Sequence, residues 1–309
     1  MRILVVGAGA IGGYFGGRLL EAGEDVTFLV RPRRAAALAE TGLAIRSPLG
    51  DVDYPAPPTV TADTLRQSFD LVLLSCKAYD LDGALADLAP AVGPETAILP
   101  LLNGMRHLDR LDARFGPGRV LGGQCVISTT LDPEGRILHL NTLHAVTFGE
   151  RDGSLSARSQ AIAAAFAGAK FESRLSETIL QDMWDKWVFI ATGAGITCLM
   201  RATIGDIVAA KAADLATALL DEAADIAAQA GFPLSDAARQ RGKAVFTAAG
   251  SPMTASMLRD IESGGPTEAE HVLGDLLRRA TPANPTGLLR IAHAHLSAYE
   301  ARRARTQVE

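Results

Sequence analysis

The feature that most constrains the fold is a glycine motif directly after the first apolar run of the chain. Residues 3–7 read ILVVG, a run typical of a β-strand. The pattern GxGxxG starts at Gly7, the last residue of this run, and leads into a helical segment. In this context the three glycines permit a tight turn, close approach of a pyrophosphate, and close packing of helix on strand. The motif predicts a dinucleotide-binding loop made of Gly7, Ala8, Gly9, Ala10, Ile11 and Gly12.

The N-terminal half continues this strand and helix pattern. Apolar runs at 25–30, 70–76 and 96–104 are separated by helical segments. Continuous apolar strands that alternate with helices are typical of a parallel sheet covered on both faces. Two extended runs around the turn DPEG, within 125–141, predict a hairpin, and 145–150 is predicted as a further strand.

The texture of the sequence changes near residue 178, after which long Ala-, Leu- and Ile-rich segments at helical spacing dominate. We therefore predict a Rossmann-type α/β domain with a mostly parallel sheet over residues 1–172. An all-α domain that carries the substrate and the catalytic groups is predicted over residues 173–309.

Arginines, and no acid, follow the second predicted strand. An NAD enzyme needs a carboxylate at the end of that strand for the ribose 2′-hydroxyl. Here Glu24 and Asp25 lie at the start of the strand, and Arg31, Arg33 and Arg34 follow its end. Guanidinium groups bind phosphate through charge-assisted, bidentate hydrogen bonds. We therefore predict that Arg31 binds the 2′-phosphate of NADP(H), while Arg33 and Arg34 are also compatible with solvated charges at a helix start.

Composition excludes several classes of function. The net charge is −5 without a basic stripe, which argues against a nucleic-acid partner. No window is long and apolar enough for a membrane span, so no membrane partner is expected. Cys76, Cys125 and Cys198 are widely spaced and show no metal-ligand pattern. They predict a reduced, cytoplasmic protein without a metal site.

The best candidate for a catalytic group is Lys186, which lies between two tryptophans in a predicted helix. Its neighbours on the same helix face are Ile190, Gly193 and Ala194, which are apolar or small. Such surroundings lower the proton affinity of a lysine, which suits it to donate a proton near neutral pH. The same pattern is compatible with a lysine that extends along the helix surface to solvent.

Five further short motifs accompany the glycine loop in a fixed order, and with them the chain resembles the ketopantoate reductase (2-dehydropantoate 2-reductase) family over nearly its whole length. They are Cys-Lys-Ala at 76–78, Asn-Gly-Met at 103–105, Trp-x-Lys at 184–186, Ser-Met-Leu-x-Asp at 256–260 and Thr-Glu at 267–268. The resemblance implies NADPH-dependent reduction of a 2-keto acid to a 2-hydroxy acid. The default substrate is 2-dehydropantoate (ketopantoate), reduced to pantoate on the way to pantothenate and coenzyme A.

The resemblance also implies a role for each matching residue. Lys186 matches the lysine that donates a proton to the keto oxygen, and Glu268 matches the acid that contacts this oxygen and orients the lysine. Asn103 matches the asparagine near the nicotinamide and the substrate. Ser256 matches the serine that binds the substrate carboxylate, and Lys77 matches a lysine close to the cofactor. The arginine after the second strand matches the one that binds the 2′-phosphate.

One departure from the family pattern leaves the substrate open. Ile190 and Ala194 stand where the family tends to carry asparagines that face the substrate. A bulkier or more apolar 2-keto acid is therefore a second possible substrate. A 3-hydroxyacid-type dehydrogenase and an NADPH-sensing protein without turnover are also compatible with the motifs. The sequence is compatible with a homodimer but does not fix the oligomeric state.

Overall fold

The computed structural model describes residues 1–281 and 287–306 of the chain. It divides into two compact units, which are described separately below. The first comprises Met1–Leu102 and His107–Leu180, and the second comprises Asn103–Arg106 and Gln181–Glu309. A short loop from the middle of the N-terminal half is therefore part of the C-terminal unit.

The described N-terminal half contains ten β-strands and five α-helices. The strands are β1 (Arg2–Val6), β2 (Asp25–Leu29), β3 (Leu43–Arg46), β4 (Val52–Tyr54), β5 (Thr59–Val60), β6 (Leu71–Leu74), β7 (Ala97–Pro100), β8 (Gly122–Leu131), β9 (Ile137–Gly149) and β10 (Glu172–Leu175). The helices are α1 (Ala10–Glu21), α2 (Pro32–Thr41), α3 (Leu81–Leu88), α4 (Arg106–Phe115) and α5 (Ala157–Ala167).

The first sheet has the strand order β5-β2-β1-β6-β7, and every pairing in it is parallel. Strand β1 lies at the centre with β2 and β6 on either side, and its residues from Ile3 onward are buried. In open sheets of this kind, ligands bind beyond the carboxyl ends of the strands where the strand order reverses. The predicted Rossmann-type parallel sheet is thus confirmed.

The second sheet has the order β10-β9-β3-β4, and β8 pairs antiparallel with β9. The predicted hairpin is present, but 145–150 is not a separate strand, because residues 145–149 are the last part of β9, which runs unbroken to Gly149. The pattern also missed the short strands β3, β4 and β5. Strand β10 pairs with β9, so the predicted boundary at 172/173 falls inside a strand of the first unit.

Helix α1 packs between the two sheets through glycines at helical spacing. An added Cβ on Gly16 would meet the ring of Phe28 in the first sheet, and one on Gly17 would meet Ile45 in the second. Tyr14 and Phe15, which precede these glycines, are fully buried. The run GGYFGG therefore allows close helix–sheet packing, and the glycine loop lies at the carboxyl end of the central strand β1.

The described part of the second unit is helical. Its helices are α6 (Ile179–Met200), which starts two residues before the unit boundary, α7 (Ile204–Ala209), α8 (Ala213–Gln229), α9 (Asp236–Phe246), α10 (Ser256–Glu262), α11 (Asp275–Arg279) and α12 (Gly287–Thr306). A π-helical turn at Glu270–Gly274 leads directly into α11. Among the described residues, no helix combines the length and apolarity that a membrane span requires.

Candidate active site

The glycine loop connects β1 to α1 in a geometry that two of its glycines make possible. Gly7 has φ +93°, which residues with side chains rarely adopt, and its N–H donates to the carbonyl of Leu29 at 2.9 Å. A Cβ on Gly12 would lie well inside contact distance of the Ser75 hydroxyl and the Gly7 carbonyl. The turn and the close approach of α1 to the sheet therefore both require glycine.

Gly9, by contrast, faces open space. It caps the N-terminus of α1 without a side-chain hydrogen bond, and an added Cβ would meet no atom within 4 Å. The first N–H groups of a helix have no partner within the helix, and together with the helix dipole they favour an anion. The backbone at Gly9 and the first turn of α1 therefore fit the pyrophosphate of a dinucleotide.

The three arginines after β2 lie in different environments. Arg31 caps α2, is 72% exposed, and donates from Nη2 to Oδ1 of Asp80 at 2.6 Å. Arg33 is exposed, whereas Arg34 is partly buried and donates to the carbonyls of Ala8 and Gly135. Burial lowers the pKa of the Arg34 guanidinium. Arg31 is thus exposed at the end of the strand and paired with a carboxylate. Arg34 instead hydrogen-bonds the glycine loop through the carbonyl of Ala8.

Lys77 lies on the loop that follows β6, where it caps a single 3-10 turn at Ala78–Asp80 with extended backbone. Its side chain is half-buried. Because β6 is the parallel neighbour of β1, its carboxyl end lies at the same sheet edge as the glycine loop. The first unit thus carries the loop, Arg31 and Lys77, all predicted to bind the cofactor, at the carboxyl ends of its parallel strands. Asn103, which was also predicted to lie near the cofactor, belongs to the second unit.

In the second unit, Lys186 occupies the first half of α6, the 22-residue helix that also carries Trp187. Lys186 is half-buried, and Trp187 is 1% exposed. The indole N–H of Trp187 donates to the carbonyl of Val272 in the π-helical turn at 2.9 Å. This bond ties the helix of Lys186 to the segment that begins with Glu268, because Val272 also donates its N–H to the carbonyl of Glu268 at 2.9 Å.

Asn103 and Glu268 are linked through a residue that the sequence pattern does not single out. His271 is 7% exposed and hydrogen-bonds the backbone of Asn103. Its ring also lies against Gly104, where an added Cβ would be 3.2 Å from Cδ2. Burial lowers the pKa of His271, and the charge of Arg106 acts in the same direction. The i, i+3 spacing of Glu268 and His271 was the signal available in the sequence, because it places both on one helical face.

Ser256 begins α10 and is exposed. The preceding residue, Ala255, donates its N–H to the hydroxyl of Thr197 on α6 at 3.3 Å, which links the start of α10 to the helix of Lys186. The second unit thereby contains Asn103, Lys186, Ser256 and Glu268, the full set that was predicted to bind the substrate and catalyse its reduction.

The α6 face after Lys186 is apolar. Ile190 is half-buried and Ala194 is 3% exposed. Between them, a Cβ on Gly193 would lie 3.4 Å from the ring of Phe246 and 3.8 Å from the terminal methyl of Met253. Ring contact between Phe189 and Phe246, at 4.8 Å between centroids, extends this apolar surface. The helix face on which the resemblance led us to expect asparagines thus has apolar neighbours from other segments.

Comparison with known proteins agrees with the architecture of both units. The family model described as "Ketopantoate reductase PanE/ApbA" matches residues 3–153, and its C-terminal counterpart matches residues 178–300. The "Uncharacterized oxidoreductase YkpB" of Bacillus subtilis is 41% identical over 303 residues, covering 97% of this chain and 99% of that protein.

Two reductases are also similar to the chain. The 2-dehydropantoate 2-reductase of Mesorhizobium japonicum is 28% identical over 91% of this chain and 94% of its own. The crystal structure of 2-dehydropantoate 2-reductase from Methylococcus capsulatus superposes with a TM-score of 0.85 at 28% identity, over 98% of both chains. Both matches extend over the glycine loop and the helical unit together. The chain therefore belongs to the ketopantoate reductase (PanE/ApbA) family of NAD(P)-dependent oxidoreductases.

Proposed function

We propose that the protein reduces a 2-keto acid to the 2-hydroxy acid with NADPH. The observation that carries the proposal is the hydrogen-bonded link between the helix of Lys186 and the chain segment of Glu268. The residue next to the lysine, Trp187, donates to Val272, whose own N–H donates to the carbonyl of Glu268. A candidate proton donor and a carboxylate thus lie on two hydrogen-bonded segments, and this supports their use in one carbonyl reduction.

The cofactor is held by the first unit in this proposal. The amides at Gly9 and the first turn of α1 bind the pyrophosphate, and Arg31 binds the 2′-phosphate after leaving or sharing its contact with Asp80. Lys77 adds a positive charge at the same sheet edge. The nicotinamide supplies the hydride when it is bound. Every other part of the chemistry falls to side chains of this chain.

Lys186 donates the proton that the keto oxygen needs as negative charge develops on it. A positioned general acid contributes about 10²–10⁴-fold to such a step. Glu268 accepts a hydrogen bond and keeps the ammonium aimed at the oxygen. Both groups must be in place before hydride transfer, because a charge that appears on oxygen is best stabilised by a donor that needs no rearrangement.

Substrate binding is assigned to Asn103 and Ser256. Their amide and hydroxyl groups can donate to a carboxylate, and Ser256 is the exposed first residue of α10. The two residues hold the carboxylate end, which leaves the tail of the acid to the α6 face beyond Lys186.

Ketopantoate is the default substrate, and a larger or more apolar 2-keto acid is a second candidate that the α6 face favours. Ile190 and Ala194 offer no side-chain hydrogen bond to the ketopantoate hydroxyl, and Phe246 and Met253 approach the helix between them. A site that reads a hydroxyl rejects analogues without it, because its own polar groups would be left unpaired. At positions 190 and 194 this site has no polar side chain that would be left unpaired by a substrate without the hydroxyl.

One assay tests the function. NADPH oxidation is followed with ketopantoate, with 2-keto acids of increasing apolar tail, with 3-keto acids and without substrate. Turnover confined to 2-keto acids supports the proposal. Turnover of 3-keto acids alone would instead support a 3-hydroxyacid-type dehydrogenase, and NADPH binding without any turnover would support a sensor.

The cellular compartment and the oligomeric state of the protein are also proposals. We place it in the cytoplasm, because within the described residues no disulfide joins Cys76, Cys125 or Cys198. A homodimer stays a prediction, which light scattering of the purified protein tests directly.

A further inference from the structure

His271 lies in an unusual stretch of helix. The segment Glu270–Gly274 is π-helical, and the residues on either side of it are in ordinary helical conformation. Such turns are rare, occur mostly as single insertions, and are frequent at functional sites. At 7% exposure, His271 is one of the few buried polar side chains of the second unit. A buried imidazole needs hydrogen-bond partners, so its contacts indicate what the turn is built to hold.

The first contact of His271 is with the loop that carries Asn103. The ring hydrogen-bonds the Asn103 backbone and packs on Gly104, which has φ +78°. A Cβ on Gly104 would lie 3.2 Å from Cδ2, 3.5 Å from Nε2 and 3.1 Å from the carbonyl oxygen of His271. Glycine thus serves both the backbone conformation and the close approach of the ring, so the loop and the turn are fitted to each other.

The second contact of this segment is with Glu268. The N–H groups of His271 and Val272 both donate to the carbonyl of Glu268, at 3.0 and 2.9 Å. The carbonyl of Val272 in turn accepts the indole N–H of Trp187, beside Lys186. One turn of chain therefore joins the loop of Asn103, the residue Glu268 and the helix of the lysine.

The charges around the ring indicate that His271 acts by hydrogen bonding. Glu268 and Asp275 favour the protonated ring, while Arg106 and, above all, burial oppose it. Burial prevails and the pKa of His271 is lowered, so the ring is neutral at neutral pH. A neutral imidazole bonded to a backbone fixes geometry without adding a charge next to the acid.

We propose that His271 is a positioning residue for the reduction: it holds Asn103 at a fixed separation from Glu268. The inference rests on the proposed function, because it assumes that these two residues contact the substrate. Catalytic geometry tolerates little displacement, and a misplacement of about 1 Å can cost on the order of 10²-fold in rate. Loss of the ring would keep both side chains, Asn103 and Glu268, but would no longer fix the distance between them.

The test compares three single variants. His271→Leu keeps an apolar filling but removes the hydrogen bond, and His271→Gln keeps a donor on a side chain of similar reach. The matched control is His293→Gln, because this partly exposed histidine contacts the neighbouring Glu270 and has no role in the proposal. For each variant, kcat, KM for the best 2-keto acid, NADPH affinity and the melting temperature are measured.

We expect His271→Leu to lower kcat by about 10- to 100-fold with NADPH affinity unchanged. His271→Gln should recover most of kcat, and His293→Gln should match the wild type. His271→Leu with normal kcat would overturn the inference. Equal losses in Leu and Gln variants that follow their melting temperatures would also overturn it, because they indicate a purely structural role.

The outcome for Lys186→Ala separates this inference from the proposed function. If Lys186→Ala is inactive and His271→Leu is active, the proton donor stands and only the positioning role fails. If Lys186→Ala retains full activity, the proposed function itself fails.

Discussion

Arg31 and Asp80 form an ion pair at 2.6 Å, although 49 positions separate them in the chain. Arg31 caps the helix after β2, and Asp80 ends the 3-10 turn after β6, so the carboxyl ends of two strands of one sheet bring them together. The pair raises the pKa of the arginine, chiefly through the hydrogen bond. If Arg31 binds the 2′-phosphate as proposed, the phosphate competes with the Asp80 carboxylate for this guanidinium, and cofactor preference depends on both residues.

The first prediction concerns Arg31. Arg31→Ala should weaken NADPH binding by about 1.5–3 kcal/mol, as expected for loss of a hydrogen bond to a charged group. NADH has no 2′-phosphate, so its binding should change little. Fluorescence titration with both cofactors measures the two affinities. Equal losses for NADPH and NADH would contradict the assignment of Arg31 to the phosphate.

The second prediction concerns the partner acid. Asp80→Asn removes a negative charge near the phosphate and releases Arg31, so NADPH binding should tighten by about 0.5–1 kcal/mol, the scale of an exposed ion pair. NADH binding should stay constant or weaken, because a carboxylate can accept from the ribose hydroxyl. A ratio of NADPH to NADH affinity equal to that of the wild type would show that Asp80 does not influence cofactor choice.

The third prediction uses two glycines of one loop that differ in their surroundings. Gly9→Ala adds a methyl group to open space, so the fold should persist while dinucleotide affinity falls at least about tenfold, or 1.4 kcal/mol. Gly12→Ala forces a methyl group against Ser75 and the Gly7 carbonyl, so stability itself should fall by about 1–3 kcal/mol. Urea unfolding and cofactor titration of both variants separate the effects. A Gly9→Ala protein that binds NADPH normally would remove the loop from the cofactor site.

The fourth prediction concerns Lys186. Because a proton donor acts mainly in the transition state, Lys186→Ala should lower kcat by roughly 10²–10⁴-fold with NADPH affinity nearly intact. Lys243→Ala is the control, since this lysine of α9 pairs with Asp221 on a partly exposed surface of the same unit. Steady-state kinetics on the best substrate decides the matter, and near-normal kcat in the Lys186→Ala enzyme would exclude the lysine as proton donor.

The fifth prediction concerns substrate choice. If the α6 face reads the tail of the acid, kcat/KM should be higher for 2-keto acids with apolar tails than for ketopantoate. Ile190→Asn combined with Ala194→Asn should shift the ratio toward ketopantoate, at a cost in stability because Ala194 is buried. A wild-type enzyme that prefers ketopantoate by a wide margin would exclude the apolar-tail candidate and leave the fold and cofactor assignments unchanged.

The parts of the fold that could be predicted from the sequence are those whose interactions join residues close together in the chain. The turn at Gly7 and the run of β1 are local, and both are predictable from a few consecutive residues. Strands β3 and β4 are not, because four- and three-residue strands carry too little periodicity to be separated from loop. The prediction of a separate strand at 145–150 was wrong because local pattern does not show that β9 continues for 13 residues.

In the candidate site, too, residues in short motifs could be predicted, and residues defined by distant partners could not. The order of the family motifs assigned roles to Lys186 and Glu268, although these roles stay predictions until they are measured. Asp80 and His271 were missed, because the partner of each is distant in sequence. The i, i+3 spacing of Glu268 and His271 is the one local signal, and such spacing is common in any helix. An aspartate at the end of a 3-10 turn and a histidine in a helix are ordinary features until the fold brings Arg31 and Asn103 next to them.

The loop Asn103–Arg106 belongs to the second unit although the chain around it belongs to the first. This interleaving has a consequence for recombination between relatives. A single crossover near residue 180 would join the Asn103–Gly104 segment of one parent to the His271 turn of the other. The loop and the turn would then come from different proteins, and their close contact would not be preserved. Exchanging the helical unit intact therefore needs two additional crossovers around the loop, so that residues 103–106 are inherited together with the helices they contact.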